Sequence, residues 1–236
     1  MRKTWPFALA LVAHLFGLAA SPSAAAPPAA DVRAGEQLAT AATTAGAACA
    51  SCHGQRGERM ASFPRLAGFG AAYLQAQLDA FATGARKNQI MQPIAQALSP
   101  PQRAQVAAYF SSLPAPSGSA DRTARGASDV GAWLATRGRW EVDVPACAQC
   151  HGPGGMGVGE AFPPLAGQSA TYLADQLRAW QSGTRPPGPL GLMEKIARKL
   201  SAADIQAVSD YYADLAGATA TPATGASSAD PRRAVP

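Results

Sequence analysis

All four cysteines of this 236-residue chain lie in two copies of one pattern, Cys49-Ala50-Ser51-Cys52-His53 and Cys147-Ala148-Gln149-Cys150-His151. Around the two copies the chain is written twice. Phe63-Pro64-Arg65-Leu66-Ala67-Gly68 recurs as Phe162-Pro163-Pro164-Leu165-Ala166-Gly167. Tyr73-Leu74 with Gln77-Leu78 recurs as Tyr172-Leu173 with Gln176-Leu177, and Leu98-Ser99 recurs as Leu200-Ser201. Upstream, Gly35 and Leu38 match Gly131 and Leu134. The repeat is collinear, with spacing that drifts only from 96 to 102 residues. Such a repeat predicts two similar domains, because two copies are too few for a solenoid.

The first domain is expected over residues 27–113 and the second over 129–216. Between them, 114–128 is rich in Pro, Ser, Gly and Ala without apolar periodicity, a linker composition. The tail, 217–236, has almost no large apolar residue and is expected to be disordered. Residues 1–26 read as a secretory signal peptide. Arg2 and Lys3 precede a 14-residue apolar stretch, Phe7 to Ala20, and small residues follow with cleavage options near Ala25. A membrane anchor left uncleaved is the alternative, although the stretch is short for a span. Export would put the chain in an oxidising compartment, the periplasm.

Composition excludes several classes. The net charge of +5 is small, and no Lys/Arg stripe is interleaved with aromatics, so a nucleic-acid partner is not expected. No apolar run reaches the 18 or more residues of a membrane-spanning helix. With 47% hydrophobic residues, disorder along the whole chain is not expected either.

Within each domain the apolar spacing is helical. Ser99 is placed to cap a helix that Pro100 opens, and Val106, Tyr109, Phe110 and Leu113 form one face of it. Ser201 caps the matching helix, with Asp204 three residues later in a capping-box arrangement and Ile205, Val208, Tyr211, Tyr212 and Leu215 as its stripe. A middle helix carries Tyr73, Leu74, Gln77, Leu78 and Phe81, and its copy carries Tyr172, Leu173, Gln176, Leu177 and Trp180. No stretch alternates for long enough to be a strand, so the fold class is all-α.

The chemistry sits in Cys-x-x-Cys-His. Two cysteines three apart on a helical turn share one side of it. They can add to the two vinyl groups of a haem, with the following histidine under the iron, which is the c-type attachment pattern. Zinc wants four ligands, and each domain offers at most three. A disulfide would leave the adjacent histidine unexplained twice. A thioredoxin-like site needs an α/β context that is absent. Two haem c groups are therefore expected, attached through Cys49 and Cys52 and through Cys147 and Cys150, with His53 and His151 as axial ligands.

For the opposite axial position, Met91 and Met193 are the repeat-equivalent methionines, 38 and 42 residues after their histidines. That is chain enough to wrap around the ring, and each precedes a Leu-Ser helix start by seven residues. Core filling is the alternative role for a methionine. Met60 and Met156 are not equivalent under the repeat and follow their histidines too closely. The carbonyls of Pro64 and Pro163 are candidates to accept from the second ring nitrogen of each histidine, with a simple turn as the alternative. Arg86 and Arg185 are candidate partners for haem propionates, or else solvated surface arginines. Tyr73, Tyr172, Phe81 and Trp180 read as haem-pocket or core packing. The glycine-rich run 152–159 reads as a surface turn, since it lacks the ending of a phosphate loop.

The order Cys-x-x-Cys-His-Gly, Phe-Pro-x-Leu-Ala-Gly, Tyr-Leu-x-x-Gln-Leu, Met, Leu-Ser resembles class I cytochrome c. Doubled behind a signal peptide, it resembles the cytochrome c4 family of dihaem proteins. The resemblance implies two small all-helical domains, each wrapped around one haem, with axial pairs His53–Met91 and His151–Met193. It implies periplasmic transfer of single electrons between respiratory partners, a terminal oxidase or a dehydrogenase, by a monomer or weak dimer. An electron-accepting subunit of a membrane-associated dehydrogenase complex is the alternative. A haem enzyme, peroxidase or thiosulfate-oxidising, is disfavoured because a methionine is available for each iron. Residues 27–118 carry seven basic against four acidic residues and 119–217 nine against ten, so the halves are expected to dock different partners. Arg56, Arg59 and Arg65 are the expected docking charges. The run Arg137-Gly138-Arg139-Trp140 and the tail depart from the family pattern.

Overall fold

The computed structural model describes residues 26–41, 48–115 and 129–215. Nearly all of the expected signal segment, most of the linker and the expected tail lie outside the described residues. Among the described residues, ten α-helices form two sets of five. The first set is α1 (Ala29–Thr40), α2 (Cys49–His53), α3 (Ala71–Ala82), α4 (Met91–Ala97) and α5 (Pro100–Ser112). The second is α6 (Val130–Thr136), α7 (Cys147–His151), α8 (Ala170–Gln181), α9 (Leu192–Ala197) and α10 (Ala202–Asp214). Among the described residues there are isolated bridges but no strands. No described helix is long and apolar enough to cross a membrane.

Each set is built on one crossing. α1 packs on α5 and α6 on α10, and the third helix of each set lies against the same partner. Gly35 and Gly131 make the crossings possible. A Cβ on Gly35 would overlap the Gln105 carbonyl, and one on Gly131 the Ala207 carbonyl, so only glycine lets the backbones approach this closely.

The last helix of each set is capped as expected. Ser99 Oγ accepts from the Gln102 N–H, whose side chain accepts in turn from the Ser99 N–H, and Pro100 opens the helix. Ser201 and Asp204 repeat the arrangement at α10. α10 has one addition. Arg139 donates both Nη atoms to the Asp204 carboxylate, at 2.9 and 2.7 Å. That guanidinium holds the buried carboxyl down to about 2. The departure Arg137-Gly138-Arg139-Trp140 is thus a turn that brings a cation to the start of α10.

The cores are separate and similar. Phe69, Leu74, Leu98, Val106, Tyr109 and Phe110 fill the first. Leu134, Val144, Leu200, Ile205, Val208, Tyr211 and Tyr212 fill the second. Each fully buried large apolar side chain contributes roughly 1.5–3 kcal/mol.

Candidate functional site

The two Cys-x-x-Cys-His segments form α2 and α7, single helical turns that each end on the histidine. None of the four cysteines is in a disulfide. The chain after each histidine then turns back on itself. The His53 carbonyl accepts from the Arg59 N–H at 2.9 Å and the His151 carbonyl from the Gly157 N–H at 2.7 Å. Further on, the Gly57 carbonyl takes the N–H groups of Leu66 and Ala67, and the Gly155 carbonyl those of Leu165 and Ala166. These bonds carry the Phe-Pro segment over the imidazole.

His53 Nδ1 lies 2.8 Å from the Pro64 carbonyl oxygen, and His151 Nδ1 lies 2.7 Å from that of Pro163. Each ring meets a phenylalanine edge-on, Phe63 at 6.1 Å and Phe162 at 6.2 Å between centroids. Both imidazoles are buried, and burial lowers their proton affinity below the ordinary histidine value. A neutral ring that donates Nδ1–H to the carbonyl leaves the Nε2 lone pair for a metal.

In the first domain Cys49, Cys52, His53 and Met91 line one cavity of about 490 Å³, within the usual range for a bound organic cofactor. Met91 begins α4, where the Asn88 side chain accepts from the N–H groups of Ile90 and Met91 and fixes the turn. Met193 lies in the first turn of α9, half-buried like Met91. Met60 and Met156 are 48% and 39% exposed. The donor set fits a covalently attached haem: paired thiols, a neutral imidazole with one nitrogen free, and a thioether on the same cavity wall.

The cavity is not closed by one domain alone. Tyr172, Gln176 and Arg185 of the second domain line it together with Tyr73, Gln77 and Arg86 of the first. Arg86 donates to Gln77 Oε1 at 2.8 Å and, across the junction, to Tyr172 Oη at 3.1 Å and Gln176 Oε1 at 2.6 Å. Arg185 mirrors it, with Gln176 at 3.1 Å, Tyr73 Oη at 3.1 Å and Gln77 at 3.1 Å. Arg86 stacks on Phe81 and Arg185 on Trp180, the latter at 3.9 Å from the ring centroid. The eight residues form four repeat-equivalent pairs about a pseudo-two-fold axis.

Several expectations change here. Arg86 and Arg185 are 7% and 6% exposed, so neither is a solvated surface arginine. Their hydrogen-bond partners among the described residues are all neutral. Tyr73 and Tyr172 are more than packing, since each presents its hydroxyl to the opposite domain's arginine. Burial alone would raise the Tyr172 phenol, but the two guanidiniums beside it bring it below its ordinary value. Arg65 is 2% exposed and cannot serve as a docking charge, whereas Arg56 and Arg59 are exposed. Arg65 reaches the Ala67 carbonyl at 2.7 Å and, in the other domain, the Ala166 carbonyl at 2.8 Å. Its backbone exchanges two bonds with the Gln168 side chain, at 3.0 and 3.1 Å. Sequence reasoning gave Arg65 the wrong role and missed Gln168, because neither has a like residue at the repeat-equivalent position. For Gln77 and Gln176 the available signal is a polar residue that recurs among the apolar positions of both middle helices.

Residues 32–114 and 142–216 match the family model of cytochrome c. The chain is 53% identical over 176 residues to a thiosulfate dehydrogenase electron acceptor of Stutzerimonas stutzeri (strain A1501), covering 74% of this chain and 82% of that protein. It is similar in structure to reduced recombinant cytochrome c4 from Pseudomonas stutzeri, with a TM-score of 0.66 and 36% identity over 78% of this chain and 98% of that one. A thiosulfate dehydrogenase from Marichromatium purpuratum in its as-isolated form gives a TM-score of 0.69 at 39% identity, over 80% of this chain but only 41% of that one.

Proposed function

The chain belongs to the cytochrome c family, as a dihaem member of the cytochrome c4 kind, and from that premise we propose that it is the electron acceptor of a thiosulfate-oxidising dehydrogenase. It is an electron-transfer cytochrome with one covalently bound haem c in each domain. A bound haem supplies a one-electron couple, and His/Met ligation raises its potential relative to His alone.

The proposed roles of the residues follow. Cys49 and Cys52, and Cys147 and Cys150, form the thioether links. His53 with Met91, and His151 with Met193, are the axial pairs. Pro64 and Pro163 hold the imidazoles by their carbonyls and keep Nε2 directed to the iron. Arg86 and Arg185 are buried cations that pair with no carboxylate among the described residues, a costly state unless an anion compensates it, and haem propionates are the anions that fit. The proposed domains are 27–113 and 129–216, and residues 1–26 direct the chain to the periplasm. No substrate bond changes on the protein, which carries single electrons.

The observation that carries the choice of partner is the 53% identity, over three-quarters of the chain, to a protein named for that role. A second reading, a free shuttle to a terminal oxidase, draws on the likeness to cytochrome c4. Stopped-flow mixing of the oxidised protein with thiosulfate and a thiosulfate dehydrogenase separates the readings. Full reduction of both haems that needs enzyme and thiosulfate together is expected. Reduction by thiosulfate alone would make this chain the enzyme, and no reduction with both would favour the shuttle.

A further inference from the structure

The two domains set an aromatic ring at the same point and differ there by one atom. Phe110 in α5 and Tyr212 in α10 are repeat-equivalent. Their carbonyls accept from equivalent N–H groups, Gly68 at 3.2 Å and Gly167 at 2.8 Å. Both residues are 2% exposed. Each ring is wedged against a glycine of the turn after the histidine, Gly57 or Gly155, where a Cβ would overlap the ring. The rings therefore occupy matching positions, and the Tyr212 hydroxyl is what the second domain has and the first lacks.

That hydroxyl is buried and has no hydrogen-bond partner in good geometry among the described residues. A buried donor in that state calls for an explanation. Cys147 packs against the core cluster to which Tyr212 belongs, and thiol and phenol shift each other's proton affinity. As a free thiol, Cys147 donates to the Leu134 carbonyl at 3.7 Å. On attachment its S–H adds across a vinyl group: the sulfur bonds to one carbon, the proton goes to the other, and no electron is gained or lost. The thioether sulfur can then only accept, and the phenol next to it is a donor without an acceptor.

We propose that Tyr212 donates a hydrogen bond to the attached Cys147 sulfur and thereby raises the reduction potential of the second haem relative to the first, where Phe110 offers no donor. A donor at the sulfur draws electron density from the linked ring and favours the reduced state, as second-shell hydrogen bonds do at other metal centres. The proposal rests on covalent attachment at both sites, which the haem count of the parent protein tests separately.

The experiment is a spectroelectrochemical titration of the intact dihaem protein, of Tyr212→Phe and of the reciprocal Phe110→Tyr, with haem content measured for each. Tyr212→Phe is expected to keep two haems and to lower one couple only, so that at a fixed potential near its midpoint the reduced-to-oxidised ratio falls about threefold. Phe110→Tyr is expected to raise the other couple. Unmoved couples in Tyr212→Phe, or both couples moving together, would overturn the proposal. So would loss of the second haem from Tyr212→Phe, because the hydroxyl would then serve attachment and not potential.

Discussion

His53 and His151 are each committed on both ring nitrogens, one to a proline carbonyl and one left for a metal. Proline suits the accepting position because its fixed φ holds the carbonyl still. The proposed ligand opposite each histidine, Met91 or Met193, is the replaceable one. Met91→Ala is expected to keep two haems but to open one iron, so that the reduced protein binds one equivalent of carbon monoxide and loses half of its methionine–iron charge-transfer band. Met193→Ala should do the same at the other iron. Optical titration with carbon monoxide measures both. These residues were legible in the sequence because the chemistry is local or twice written: cysteine, cysteine and histidine within five residues, and methionines in shared register. Arg65 was not legible. Its equivalent is Pro164, and its second acceptor, the Ala166 carbonyl, lies 101 residues away. Nothing local distinguishes a buried arginine from an exposed one.

Among the elements, α2 and α7 are five residues long, too short to persist alone, and exist because the flanking turns and helices hold them. The last helix of each domain carries more of its own stability through its cap. At α10 the cap is linked to pH. Asp204 has an ordinary value of 3.8 and is held at about 2 in the fold. A depressed acid contributes stability that is complete above its unfolded value and is lost as the pH falls through its folded value. Asp204→Asn is therefore expected to cost about 1–2 kcal/mol at neutral pH. The difference from the parent protein should close as the pH falls from about 4 to about 2, which urea denaturation at a series of pH values would follow. The Ser201–Asp204 box was readable from spacing alone. The Arg139 contact was not, because it comes from a residue 65 positions earlier, in a run that has no counterpart in the sequence before Cys49.

For the whole molecule, the deciding feature is the junction. Two arginines, two glutamines and two tyrosines bond reciprocally across it, and Arg65 with Gln168 adds an asymmetric clamp. Repeat analysis predicted two domains but not how they meet, since pairing between copies leaves no periodic trace. Arg65→Ala leaves the Ala166 carbonyl without its partner and is expected to cost about 1–3 kcal/mol. It should split one cooperative unfolding transition into two, as calorimetry would record. The charge difference between the halves remains, but of the three expected docking charges only Arg56 and Arg59 are exposed.

On the proposed function, each domain holds one covalent haem between its histidine and its methionine, and the protein moves electrons with both irons closed. The most direct measurement is the haem content per chain of the exported protein, combined with the optical spectrum of the oxidised form and of the reduced form under carbon monoxide. Two haems per chain, a full methionine–iron band and no carbon monoxide adduct are the result predicted. One haem, or a half-strength band with an adduct at one iron, would rule out paired closed haems and make the protein a haem enzyme with an open site.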